Sequence, residues 1–160
     1  MAIVICAFAG LGKTFLSQKY ANIIDFDIGP FKYENYCKNM EEQEKMKATP
    51  NRVRNKNYPQ NYITALKKII KLDNIVLVPA DLEVRNILKD EQIDFIFIIP
   101  SIDSKCELIA RYRKRGNNEM FINRAINDLE NWSKVNYNYK TIILSKGKYL
   151  EDYLIEKKLI

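Results

Sequence analysis

The sequence predicts an α/β fold of three layers, a five-stranded parallel sheet with helices on both faces. Short, wholly apolar runs alternate with segments of helical periodicity along the whole 160 residues. Those runs lack the apolar/polar alternation of a strand with one wet face, so they read as strands buried on both sides, the pattern of a parallel sheet covered by helices. A chain of this length buries one core and seldom divides into two, and no linker, repeat or low-complexity tract interrupts it, so residues 1–160 are expected to form a single domain.

Taken in order, residues 3–7 (IVICA) form the first buried strand, 13–20 a short helix, and 23–27 (IIDFD) a second strand ending in two carboxylates. Tyr62, Ile63, Leu66, Ile69 and Ile70 fall on one helical face. Residues 75–78 (IVLV) give the third strand, 82–90 a helix, and 95–99 (FIFII) the fourth strand. Two helices over 103–115 and 119–135 are parted by Gly116, Asn117 and Asn118, which stop one helix and cap the next. Residues 141–144 make the fifth strand and 149–158 a closing helix. The stretch 29–61, rich in Lys, Asn, Tyr and Glu, has no clear strand; so long an irregular segment inside a domain is expected to be a functional excursion or a flexible insertion.

Composition removes much chemistry at once. With no His, Ser/His/Asp and Cys/His catalysis, HExxH metalloproteases and His-ligated zinc sites are excluded. Cys6, Cys37 and Cys106 are odd in number and lack CxxC spacing, so they predict ordinary thiols in a reducing cytoplasm rather than a disulfide framework or a metal site. The first apolar run follows no positive charge and is too short for a signal peptide or a membrane span, so a soluble cytoplasmic protein without a membrane partner is expected. A formal charge of +6 suits anionic partners, nucleotides or nucleic acid, but equally suits a Lys-rich solvated surface.

The strongest local signal follows the first strand. Residues 7–14 read A-F-A-G-L-G-K-T and match the phosphate-binding loop G-x-x-x-x-G-K-[ST] except that Ala7 stands for the first Gly. Such a loop wraps backbone N–H groups around phosphate oxygens, which demands small residues near Ala9 and Gly10 and no Cβ at Gly12. Ala9, Gly10, Leu11, Gly12, Lys13, Thr14 and Phe15 would bind the donor nucleotide, Lys13 reaching the β and γ phosphates and Thr14 a Mg²⁺ ion. The helix that opens there presents its positive end to the anion. The alternative is a Gly-rich strand-to-helix turn carrying a surface Lys, which the strand–loop–helix context disfavours.

Through these residues the chain resembles the P-loop kinases of nucleotides and small metabolites, above all small adenylate-kinase-like kinases of deoxynucleoside monophosphates of the kind phages encode. Besides 7–14, the resemblance runs through Asp25-Phe26-Asp27, Tyr58-Pro59-Gln60-Asn61-Tyr62, residues 111–116 and the last strand, although only 7–14 is a specific motif. It implies the P-loop NTPase fold, ATP and Mg²⁺ as cofactors, and phosphoryl transfer to a nucleoside monophosphate. The Asp-x-Asp is similar to that of shikimate and gluconate kinases, which implies Asp25 on the metal, through water, and Asp27 orienting the acceptor. Asp before Gly-Pro is also ordinary turn chemistry, and this alternative stays open for either residue.

Asp81 comes too late after the third strand for a Walker B carboxylate and is expected to cap the helix from Leu82. Arg111 and Arg115 share a helical face from which Arg113 points away, and Arg124 follows in the next helix. The resemblance makes 103–135 a helical lid whose Arg111 and Arg115 close over the transferred group; a basic helix end complementing its own dipole is the alternative. The resemblance makes the irregular stretch the acceptor-binding segment, with Arg52, Arg54 and, at its end, Tyr58, Asn61 and Tyr62. There an Arg would hold the acceptor phosphate bidentately and a Tyr such as Tyr62 would stack on its base, with Arg85 a further phosphate candidate; a solvated basic loop is the competing reading. Trp132 lies on an apolar helix face and is expected in the core. Two other functions stay open: a kinase of hydroxyls on nucleosides, small metabolites or polynucleotide 5′ ends, with Asp27 taking the proton, and a non-catalytic ATP-binding sensor or interaction protein.

Overall fold

A computed structural model describes residues 1–36, 39–47 and 49–160; Cys37 lies outside the described residues. In chain order the elements are β1 (Ile3–Ala7), α1 (Lys13–Lys19), β2 (Ile23–Asp25), α2 (Gly29–Lys32), α3 (Met40–Met46), α4 (Gln60–Ile69), β3 (Ile75–Pro79), α5 (Leu82–Asp90) and β4 (Ile96–Pro100). A 3-10 turn at Ile102–Ser104 leads into α6 (Lys105–Lys114), then come α7 (Glu119–Trp132), β5 (Thr141–Leu144) and α8 (Leu150–Glu156). No helix among the described residues is long and apolar enough to cross a membrane.

All five strands are parallel, in the order β2-β3-β1-β4-β5. The central strand β1 pairs with β3 through Ile3–Ile75 to Ala7–Pro79 and with β4 through Ile5–Ile96 to Ala7–Ile98. Val4 to Ala7 and Ile75 to Val78 are buried, which is why these segments are apolar without alternation. Right-handed crossovers place α1 on one face and the connections into β3, β4 and β5 on the other. After the last strand α8 returns to α1, where Glu151 accepts from Lys19 Nζ at 2.7 Å and from Tyr20 Oη at 2.8 Å.

This order positions the site. The connection leaving β1 runs toward β2 and the one leaving β4 runs toward β5, so the two diverge and open a crevice beyond the carboxyl ends of β1 and β4. Ligands of open parallel sheets bind at such a point.

The second strand is shorter than expected. It stops at Asp25, and after one further ladder bond, Phe26 N to Leu77 O at 2.8 Å, the chain turns. Phe26 is buried against Phe31 and Tyr62, with ring centroids 5.2 and 4.9 Å away, and that packing turns the backbone before Asp27. The excursion 29–61 is also more ordered than its composition suggests, for it contains α2 and α3. Its base is closed by main-chain bonds from Glu34 N to Val53 O and from Asn55 N to Lys32 O, at 2.9 and 2.8 Å. Glu83 of α5 fastens it to the body by accepting from Lys32 at 2.6 Å and from Arg54 at 2.5 Å. On the other side of the sheet's crevice, Asn118 caps α7 through Phe121 N at 2.8 Å and donates to Lys47 O at 2.8 Å, joining the α6–α7 turn to the excursion.

Candidate active site

Between β1 and α1 the chain adopts two left-handed glycine conformations, Gly10 at φ 82° and Gly12 at φ 98°, which residues with a Cβ rarely adopt. Every carbonyl of the loop is engaged. Lys13 Nζ donates to Ala7 O at 2.9 Å and Phe8 O at 3.2 Å, Tyr112 Oη to Ala9 O at 2.8 Å, and Arg111 Nη1 to Gly10 O at 3.4 Å. Leu150 N donates to Leu11 O at 3.1 Å and Leu16 N to Gly12 O at 2.9 Å. The N–H groups differ: from Ala9 to Phe15 none makes a well-formed hydrogen bond to any described residue. With its carbonyls drawn to α6, α8 and its own lysine, the segment keeps a run of free donors at the opening of a helix, an arrangement suited to an anion.

Gly10 has a second constraint. A Cβ there would sit 2.9 Å from Tyr112 Cε1, in the ring whose hydroxyl holds Ala9 O. Gly10→Ala is therefore expected to destabilise the fold by about 1–2 kcal/mol from the left-handed backbone alone, with further loss from the displaced tyrosine. Thermal unfolding checks it; an unchanged midpoint would show that the loop relaxes freely.

Lys13 is half-buried behind the loop. Burial lowers its pKa from the usual lysine value, against the opposing pull of the Asp25, Asp27 and Asp81 carboxylates. Thr14 Oγ1 donates to Asp25 Oδ2 at 2.7 Å, leaving its own lone pairs available to a cation. A hydroxyl and a carboxylate are hard oxygen donors that suit Mg²⁺, an ion that completes its shell with water and substrate phosphates rather than a protein cage. The described residues hold no group of three or more acidic, Cys or His side chains disposed around one point.

Asp27 is exposed beyond the end of β2. Tyr36, which the sequence does not single out, lies near it, its ring and the Asp27 carboxylate both converging on Gly29: burial first, then the Asp27 charge, raises the pKa of its phenol. Asp81 stands at the N-cap position of α5 as expected, yet its side chain makes no capping bond. Its charge is among those that oppose the lowering of the Lys13 pKa.

Arg111 lies on the loop. Its guanidinium sits 4.0 Å over the Tyr149 ring and 3.5 Å from Glu107, whose Oε2 also accepts from Gly147 N at 3.2 Å. Arg115 caps α6 at its C-terminus and is exposed, and Arg113 points away to Glu119 at 3.1 Å. Leu108 and Tyr112 bury α6 against the core, so the Arg-bearing hairpin packs on the body of the domain.

The acceptor-side residues are scattered. Arg52 lies 4.6 Å over the Tyr33 ring. Arg54 is held by Glu83 and lies 5.1 Å over Tyr58. Two expectations do not fit. Tyr62 is fully buried, its ring stacked on Phe26 and its hydroxyl 3.3 Å from Phe26 O, so it cannot receive a base. Arg85, 1% exposed, is enclosed by Phe97, Trp132 and Tyr137, and bonds Ala80 O at 3.0 Å and Tyr139 Oη at 2.6 Å. It is a core residue with no path to an acceptor phosphate. Trp132 packs there as expected. Of the residues the sequence missed, Tyr112 of α6 and Tyr149 of the β5–α8 segment reach the loop, and Glu107 reaches Arg111, and nothing in their local sequence signals it.

No family model matches the chain, and no curated protein matches it significantly.

Proposed function

We propose that the chain is a phosphotransferase that uses ATP and Mg²⁺ as its cofactors. Within that class we propose a kinase of nucleoside monophosphates, deoxynucleotides included. The observation that carries the proposal is the loop: the N–H groups from Ala9 to Phe15 make no well-formed hydrogen bond to a described residue while each carbonyl from Ala7 to Gly12 accepts one. In phosphoryl transfer, positioning and charge stabilisation do nearly all the work. The loop donors and Lys13 would bind the donor phosphates. Thr14 and Asp25 would hold Mg²⁺, which supplies neutralisation of phosphate charge. Arg111 would swing from Tyr149 and Gly10 O onto the transferred group, with Arg115 the next cation on that face. Asp27 and Arg52 would orient the acceptor, with Arg54 available only where it leaves Glu83.

A hydroxyl acceptor is favoured by one specific observation. Arg85 and Tyr62 are buried and Arg54 is held by Glu83, so the acceptor side presents the exposed carboxylate of Asp27, with the Tyr36 ring near it, rather than a ring of arginines. A carboxylate at that place would take the proton of an attacking hydroxyl.

Transfer of γ-phosphate from labelled ATP with Mg²⁺ to nucleoside monophosphates, nucleosides and 5′-hydroxyl oligonucleotides separates the readings. Labelled diphosphate is the expected product. Label on hydroxyl acceptors alone would establish the second reading, and ATP binding with no labelled acceptor would leave a nucleotide-binding sensor.

A further inference from the structure

The loop between β1 and α1 rests on one face of α6. Leu108, Arg111 and Tyr112 are spaced i, i+3 and i+4, which puts them side by side on that helix. A Cβ built on Gly10 would meet Leu108 Cδ2 at 3.4 Å and Tyr112 Cε1 at 2.9 Å. Consecutive residues of the helix hold consecutive carbonyls of the loop: Tyr112 Oη donates to Ala9 O at 2.8 Å, and Arg111 Nη1 to Gly10 O at 3.4 Å. The two grips differ. Arg111 also stacks on Tyr149 and pairs with Glu107, whereas Tyr112 is fully buried, its ring set edge-on to Phe121 with centroids 5.3 Å apart. Burial raises the pKa of its phenol, against the opposing charges of Arg115 and Arg111, so the hydroxyl keeps the proton it donates.

In a trans peptide the N–H and C=O groups point in opposite directions. A hydroxyl that holds Ala9 O toward α6 therefore turns the Gly10 N–H away from α6, and this N–H makes no well-formed hydrogen bond to a described residue. Glycine takes either sign of φ at little cost, so the Ala9–Gly10 peptide plane can turn over unless its oxygen is held. We infer that Tyr112 is a positioning residue: its hydroxyl fixes the Ala9–Gly10 peptide with the N–H of Gly10 aimed at the phosphates of the bound nucleotide. The inference rests on the reading of the loop as a cradle for donor phosphates, and it holds for a phosphate or a hydroxyl acceptor. It also divides the work of α6: Arg111 can leave Gly10 O for the transferred group while Tyr112 stays and keeps the loop set. A donor fixed before the anion arrives needs no reordering when it binds, the advantage of a preorganised site.

The test compares Tyr112→Phe with the unmodified chain in calorimetric titrations with ATP and with inorganic tripolyphosphate, both with Mg²⁺ and well below the unfolding temperature. Phe keeps the ring against Gly10 and Phe121 and removes only the hydroxyl. Both ligands are expected to bind about tenfold more weakly, the worth of one hydrogen bond, and by the same factor, since tripolyphosphate carries the phosphates alone. Unequal losses would put the effect outside the phosphate cradle. Unchanged affinities, whatever the unfolding temperature, would make Tyr112 a structural residue. Either result overturns the inference and leaves the reading of the loop standing. A second measurement needs no variant: the amide proton of Gly10 should shift when tripolyphosphate binds the unmodified chain, and a complex in which it stays unmoved overturns the inference as well. Failure of the unmodified chain to bind either ligand overturns both the inference and the reading on which it rests.

Discussion

Replacing Lys13 by Met is expected to lower phosphoryl transfer at least a hundredfold, about the loss of one preorganised donor to the reacting group, while raising the unfolding temperature. The two effects share a cause. Behind the loop the ammonium is held by Ala7 O and Phe8 O, neutral acceptors, and burial outweighs Asp25, Asp27 and Asp81 in setting its pKa, which is lowered. The folded state therefore binds this proton less tightly than the unfolded chain. Stability is withheld at neutral pH and rises as pH climbs from the depressed folded pKa toward 10.5. Met keeps the length and apolar stem and removes the charge, so the penalty disappears with it. Thermal unfolding at neutral pH, with and without ATP and Mg²⁺, reads both consequences. The variant should unfold at a higher temperature than the parent and gain nothing from nucleotide, whereas the parent should be stabilised by ligand mass action. A Met variant that unfolds earlier would mean that the lysine serves the fold rather than a ligand.

Such a trade explains why the loop was legible in the sequence when much of the rest of the site was not. The motif lies within eight consecutive residues and its needs are local: glycines for left-handed turns, a lysine, and a helix that opens on a hydroxyl. β1, β3 and β4 were equally legible, because burial on both faces forbids polar residues along them. β2 was read two residues too long, since only the packing of Phe26 on Phe31 and Tyr62 reveals where the chain turns. Tyr36 comes near Asp27 only because residues around Asn35 and Val53 close the excursion. Tyr112 meets Ala9 O across a sequence separation of 103, which no window along the chain can see. Arg85 is the instructive error. Its neighbours Val84, Ile87 and Leu88 are all buried, so it occupies a place in an apolar stripe of α5, and that stripe rather than its charge sets its surroundings.

Truncating Arg85 to Ala is accordingly expected to destabilise the fold by at least about 3 kcal/mol, as for large buried side chains, with no selective change in KM for the acceptor. The guanidinium lies 4.4 Å from the ring centroids of both Phe97 and Trp132, and these rings close the core between α5, β4 and α7. Ala would leave a cavity among them and strip partners from Ala80 O and Tyr139 Oη, so the losses of packing, cation–π attraction and hydrogen bonds add. Arg85→Met separates these causes. It fills most of the space and removes a buried charge that makes no ion pair with any described carboxylate, so its cost should fall well below that of Ala. Denaturant unfolding of the two variants gives the ordering. The contrary outcome has a clear meaning: an Arg85→Ala variant that unfolds like the parent but binds acceptor more weakly would show that the guanidinium leaves its aromatic enclosure, and would return Arg85 to the phosphate site.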